Sequence, residues 1–131
     1  MKDEIVSFET ANLARKRGYP QDTFGTTEMK SACYLKDGSF YPNGCICNIE
    51  CASSAPTQSM LQRWFREEYK TSIEIRYNGF SKSFYWACVD MNKGLFSGAK
   101  DVNMEEHKTY EEALEDALLC NLKYNRKLWN R

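Results

Sequence analysis

The sequence predicts an α+β protein: two helices packed on one face of a three-stranded antiparallel sheet (α-β-β-β-α from residue 57). An N-terminal helix and an irregular or short-hairpin segment precede this core. Three observations point there. Apolar residues recur at helical spacing over 60–69 and 110–122, they alternate with charged residues over 73–77, and turn signals separate the segments between. The 131 residues fit one domain, and a 42% hydrophobic share with 14% aromatic residues supplies a core. The reading is one α+β domain over 1–131, with 1–55 as N-terminal helix plus excursion and 56–131 as the core.

Ser7 opens the first helix, because its hydroxyl can accept a first-turn N–H. The helix runs to Lys16 or Arg17, where Gly18 and Pro20 supply the stop. Phe8, Ala11 and Ala14 share its one narrow apolar face. Residues 19–55 hold four of the six cysteines, and turn signals at Asp37-Gly38 and Pro42-Asn43-Gly44 punctuate them. Phe40-Tyr41 and 46–49 read as short strands there. Pro56 and Thr57 start the second helix, with Met60, Leu61, Trp64, Phe65 and Tyr69 as its buried stripe.

Ile73, Ile75 and Tyr77 alternate with Glu74 and Arg76, which makes a strand with one dry and one wet face. Asn78-Gly79 opens a turn into a strand over 84–91 that is apolar on both faces. Phe84, Trp86 and Cys88 lie on one side, and Tyr85, Ala87 and Val89 on the other. Residues 90–94 read as a tight connection with Gly94 free to take positive φ. A short third strand at Leu95-Phe96 leaves the 84–91 strand central, and 98–107 reads as a polar linker. Thr109 and Glu112 have capping-box spacing at the start of the last helix. Ala113, Leu114, Ala117, Leu118 and Leu122 form its core stripe. Acidic residues crowd its first half and Lys123, Arg126 and Lys127 its end, in the sense the helix dipole favours.

Eighteen basic and eighteen acidic side chains cancel, so no global field favours nucleic acid or an anionic membrane. The charged start, 1–6, has no apolar signal core, and no apolar run approaches the ~20 residues of a membrane span. A cytoplasmic protein without membrane contact is expected, its cysteines thiols or metal ligands. Cys33, Cys45, Cys47 and Cys51 could together offer four thiolates to a structural zinc, although Cys45-Ile46-Cys47 departs from paired C-x-x-C spacing. Ordinary thiols are the preferred reading, and no cofactor is expected. Cys88 reads as a core residue and Cys120 as partly exposed.

His107 is the sole histidine and stands in a charged stretch, so a solvated role is expected, with no catalytic residue assigned. Glycine-rich phosphate loops, H-E-x-x-H and G-x-S-x-G are absent from the sequence. Tyr85, Ala87 and Val89, on the strand face away from the helices, need a cover: residues 1–55 folding over them is the preferred reading, and the alternative makes them the candidate partner-binding residues, for another protein or a second copy of the chain. Arg126, Lys127, Trp129 and Arg131 interleave charge and aromatic rings, the composition of a single-stranded nucleic-acid grip.

The segments 7–14 (SFETANLA), 55–67 (APTQSMLQRWFRE) and 110–114 (YEEAL) resemble small proteins of Bacteroides-type bacteria and their phages or prophages. The resemblance spans about a third of the chain, implies a mobile-element setting and brings no activity with it. The helix–three strands–helix order from Thr57 is similar to that of double-stranded RNA-binding domains, which place lysines at the start of the last helix to hold phosphates. Residues 105–112 (EEHKTYEE) are acidic at that place, so the resemblance carries topology and not RNA binding. The expectation is a non-catalytic accessory protein that binds another protein. A nucleic-acid-binding module using the C-terminal end is the alternative.

Overall fold

A computed structural model describes residues 3–24, 28–46, 52–92, 95–96 and 102–129, and it belongs to the α+β class with antiparallel sheets. The sequence reading had one domain jointed at 55/56. The chain divides into two compact units, Met1–Thr57 and Gln58–Arg131.

In the first unit, α1 spans Phe8–Lys16. The Ser7 hydroxyl accepts the Thr10 N–H and so caps the first turn. At the other end Gly18 takes φ +99°, its N–H reaches the Arg15 carbonyl, and the Tyr19 N–H reaches that of Ala14. This pair of bonds is the Schellman stop, which needs the left-handed backbone that glycine supplies at low cost. Ala11 and Ala14 are buried, and Thr10 joins them with no exposed surface.

Residues 19–55, expected as an irregular excursion or one small hairpin, instead hold two three-stranded antiparallel sheets. One has the order β1 (Thr23–Phe24), β2 (Glu28–Met29), β5 (Cys45–Ile46), and the other β4 (Phe40–Tyr41), β3 (Cys33–Leu35), β6 (Ala52–Ser54). Strands of two or three residues carry too little alternation to be read as strands. Side chains and the N-terminus lock them instead. Ser54 is tied twice, its N–H to Gln21 Oε1 at 2.7 Å and its Oγ accepting from the Asp22 N–H at 2.8 Å. Tyr34 donates its hydroxyl to the Val6 carbonyl at 2.7 Å, and its ring packs between Phe8 and Phe40. Cys47, Cys51, Gly94, most of the expected 46–49 strand and Arg131 lie outside the described residues.

The second unit begins with α2, Gln58–Tyr69, whose buried residues are Gln58, Leu61, Trp64 and Phe65. Met60, expected in that stripe, is half exposed, because the i, i+3, i+4 pattern is completed by Gln58 on the inner side. A turn with Lys70 at positive φ leads into β7, Thr71–Asn78, which pairs in continuous antiparallel register with β8, Ser83–Asp90. Ile73, Ile75 and Tyr77 stand opposite Cys88, Trp86 and Phe84, so the six share one face.

The expected three-stranded sheet is larger. Leu95–Phe96 does pair with β8 as the short strand β9, but the supposed linker contains β10, Val102–His107, and the main order is β10-β8-β7. The pairing of β10 jumps from Asn103↔Trp86 to His107↔Phe84. Such a bulge destroys the period-two signal on which strand recognition rests.

Helix α3, Tyr110–Tyr124, is capped by Thr109, whose hydroxyl accepts the Glu112 N–H. Ala113, Leu114, Ala117, Leu118 and Leu122 are all buried. The helix lies on the Trp86 face of the sheet, where Asp116 accepts a hydrogen bond from the indole. Helix α2 packs against β7 and α3. Two side-chain amides, that of Gln58 buried and that of Gln62 half-buried, bolt the layers together. Gln58 Nε2 donates to the Glu111 carbonyl, and Gln62 Nε2 donates to that of Ile73 at 2.6 Å. A one-turn helix, α4 (Arg126–Trp129), ends the described chain.

Candidate interaction surface and side-chain clusters

The turn between β7 and β8 is held by side-chain hydrogen bonds and carries an exposed aromatic ring. The Phe80 N–H donates to Asn78 Oδ1 at 3.0 Å and so fixes the turn backbone. Asn78 Nδ2 and Ser81 Oγ then donate to the same oxygen of Glu106, at 2.9 and 2.8 Å, clamping the turn to the end of β10. These bonds, that from Ser81 foremost, hold the Glu106 carboxyl below the ordinary glutamate range. On this clamped turn the Phe80 side chain is wholly exposed (103%). Tyr77, at the same end of the hairpin, is 57% exposed while its ring packs on Phe84 at 5.1 Å between centroids. Among the described residues, strand β7 pairs with β8 alone and so stands at an edge of the sheet.

On the β8 face away from α3, the three candidate binding residues are unequal. Ala87 has no exposed surface, and Tyr85 and Val89 are half buried. Beside them Arg76 donates to Glu74 at 2.9 Å and also engages Tyr85, so this face is charged as well as aromatic. The hydrogen bond to Glu74 pushes the Arg76 pKa up.

The opposite face holds a polar cluster that sequence patterns did not disclose. His107, expected to be solvated, is largely buried, with its Nε2 3.3 Å from Asp116 Oδ2. The bulge in β10 brings this about by setting His107 opposite Phe84, on the α3 side of the sheet. Trp86 Nε1 donates to the same Asp116 oxygen at 2.9 Å, and Cys120 Sγ donates to Asp116 Oδ1 at 3.5 Å. A nucleophilic thiol relay places imidazole next to the thiol and the carboxylate behind it. Here the carboxylate takes the thiol's hydrogen bond, and a thiolate there would bring two negative charges together. The cluster joins β8, β10 and α3.

Trp129, a candidate nucleobase platform, is engaged within the protein. Its ring centroid lies 5.1 Å from that of Tyr69 and 6.4 Å from that of Trp64, and its Nε1 donates to the Asn121 carbonyl at 2.7 Å. Arg126 and Lys127 lie on α4 beside it.

Of the four candidate zinc ligands, Cys33 and Cys45 come together, with their sulfurs 3.3 Å apart in hydrogen-bond contact. Among the described residues no group of three or more His, Cys, Asp or Glu side chains could hold a metal ion, and no helix is long and apolar enough to cross a membrane. No protein family, curated protein or solved structure matches this chain.

Proposed function

We propose that this chain is a non-catalytic accessory protein that acts by binding another protein, with the β7–β8 turn as the leading contact. The observation that carries the reading is Phe80, fully in water on a turn clamped by Asn78, Ser81 and Glu106. Single exposed apolar residues are ordinary. A large ring on a backbone fixed in advance is different, since it fills an apolar pocket with little ordering entropy left to lose. Tyr77 and the edge of β7 extend the contact, and Tyr85 with Arg76 and Glu74 offers a polar flank. The engagement of Trp129 with Tyr69 and Trp64 speaks against the nucleic-acid alternative.

The test is affinity capture from host-cell lysate with the full chain, with and without nuclease. The partner should survive nuclease treatment, and Phe80→Ser should weaken its retention about tenfold, roughly the 1.4 kcal/mol of a modest anchor residue. The melting temperature should stay unchanged, because an exposed substitution costs within about 0.5 kcal/mol. Undiminished capture by both Phe80→Ser and Tyr85→Glu would refute the proposal, and nuclease-sensitive capture would favour nucleic acid. Sedimentation of the same proteins reads whether a second copy of the chain is the partner.

A further inference from the structure

We propose that Cys33 and Cys45 form a redox modification site, a thiol pair that closes to a disulfide by exchange with a low-molecular-weight disulfide. The two residues are distant in sequence and lie on strands of different sheets, yet their sulfurs stand 3.3 Å apart. Cys45 is set by its neighbours. It pairs with Met29 across β2 and β5, and the preceding Gly44 takes φ +87°. A Cβ at Gly44 would collide with the Met29 carbonyl, so glycine is what lets the chain approach closely enough to bring Cys45 in.

The two thiols differ in access. Cys33 has no exposed surface, while Cys45 is only partly buried. Cys45 is therefore the group an outside disulfide can reach, and Cys33 the resolving group. Their surroundings are apolar, with Met29, Ala52 and Leu35 packed around them. Such a setting disfavours the thiolate form that metal binding needs. A disulfide is neutral and suits the same apolar cluster.

The exchange balances with glutathione disulfide as the oxidant. The Cys45 thiol loses its proton and its sulfur attacks one glutathione sulfur, forming a Cys45–glutathione bond and releasing glutathione thiolate. The deprotonated Cys33 sulfur then attacks Cys45, breaks that mixed bond and releases the second glutathione thiolate. The protein has lost two electrons and two protons, both of which the two glutathione molecules carry off.

The experiment incubates the full chain in graded mixtures of reduced and oxidised glutathione, followed by acid quench, alkylation and intact-mass and peptide analysis. The expected result is loss of two alkylatable thiols at a single midpoint, with the new bond mapped between Cys33 and Cys45. Cys33→Ala should instead trap one glutathionyl group on Cys45, and Cys45→Ala should leave Cys33 unmodified in the folded chain. The wild-type bond map decides the matter even if a variant fails to fold. Pairing of Cys45 with Cys47 or Cys51 would overturn the proposal. So would thiols that remain alkylatable at every ratio, or a stoichiometric zinc ion in the purified protein that shields Cys33 and Cys45 until chelated.

Discussion

Glu106 is the penultimate residue of a strand of little apolar character, yet its carboxylate gathers Asn78 and Ser81 from the facing turn. Because these hydrogen bonds depress its folded pKa, the stability they contribute is present above the unfolded value of about 4.3 and is lost as pH falls through the lower folded value. The amide NMR signals of Phe80 and Ser81 should accordingly titrate with a midpoint below that of free glutamate, and Glu106→Gln should abolish that titration. A midpoint at or above the ordinary value would show that the clamp does not hold in solution. Little of this was legible in the sequence. Asn78-Gly79 announced a turn, but nothing local to Glu106 indicates that the chain returns it to that turn. His107 makes the same point, since its pairing with Asp116 depends on a register jump that composition cannot record.

At the scale of elements, local chemistry was most legible where a helix is long enough to repeat its pattern. Thr109 and Glu112 marked the start of α3, and the five stripe residues named from spacing are all buried. Removing the cap with Thr109→Ala should cost about 0.5–2 kcal/mol in urea unfolding, because it leaves a first-turn N–H without its side-chain acceptor. The end of the same helix was not legible. Asn121 is buried, its Nδ2 donating to the Ala117 carbonyl and its Oδ1 accepting from Asn125, while its own carbonyl accepts from Trp129. These bonds seat α4 against the ring cluster of α2. Trp129→Ala should therefore destabilise the protein by about 2 kcal/mol, below the roughly 3–5 of a fully buried aromatic. An unchanged melting curve would mean that the ring is available to something outside.

At the scale of the whole molecule, Phe65 is the largest fully buried side chain among the described residues and packs on the rings of Trp64, Tyr69 and Trp129. Phe65→Ala should cost about 3–5 kcal/mol, a large fraction of the stability of a small domain, read as a shifted urea midpoint at similar slope. Periodicity found this residue, because a stripe of large apolar side chains in an amphipathic helix has nowhere else to go. By itself the sequence determined the α+β class, the three long helical and strand patterns and the caps that bound them, since each depends on residues within one or two turns of each other. Only the tertiary structure decided the two small sheets of residues 23–54, the bulged strand at Val102–His107, the union of Asp116 with His107, Trp86 and Cys120, and the meeting of Cys33 with Cys45. Those features depend on which strands pair and on which face of the sheet α3 covers, so the free energy that selects them belongs to the folded arrangement and not to any local pattern.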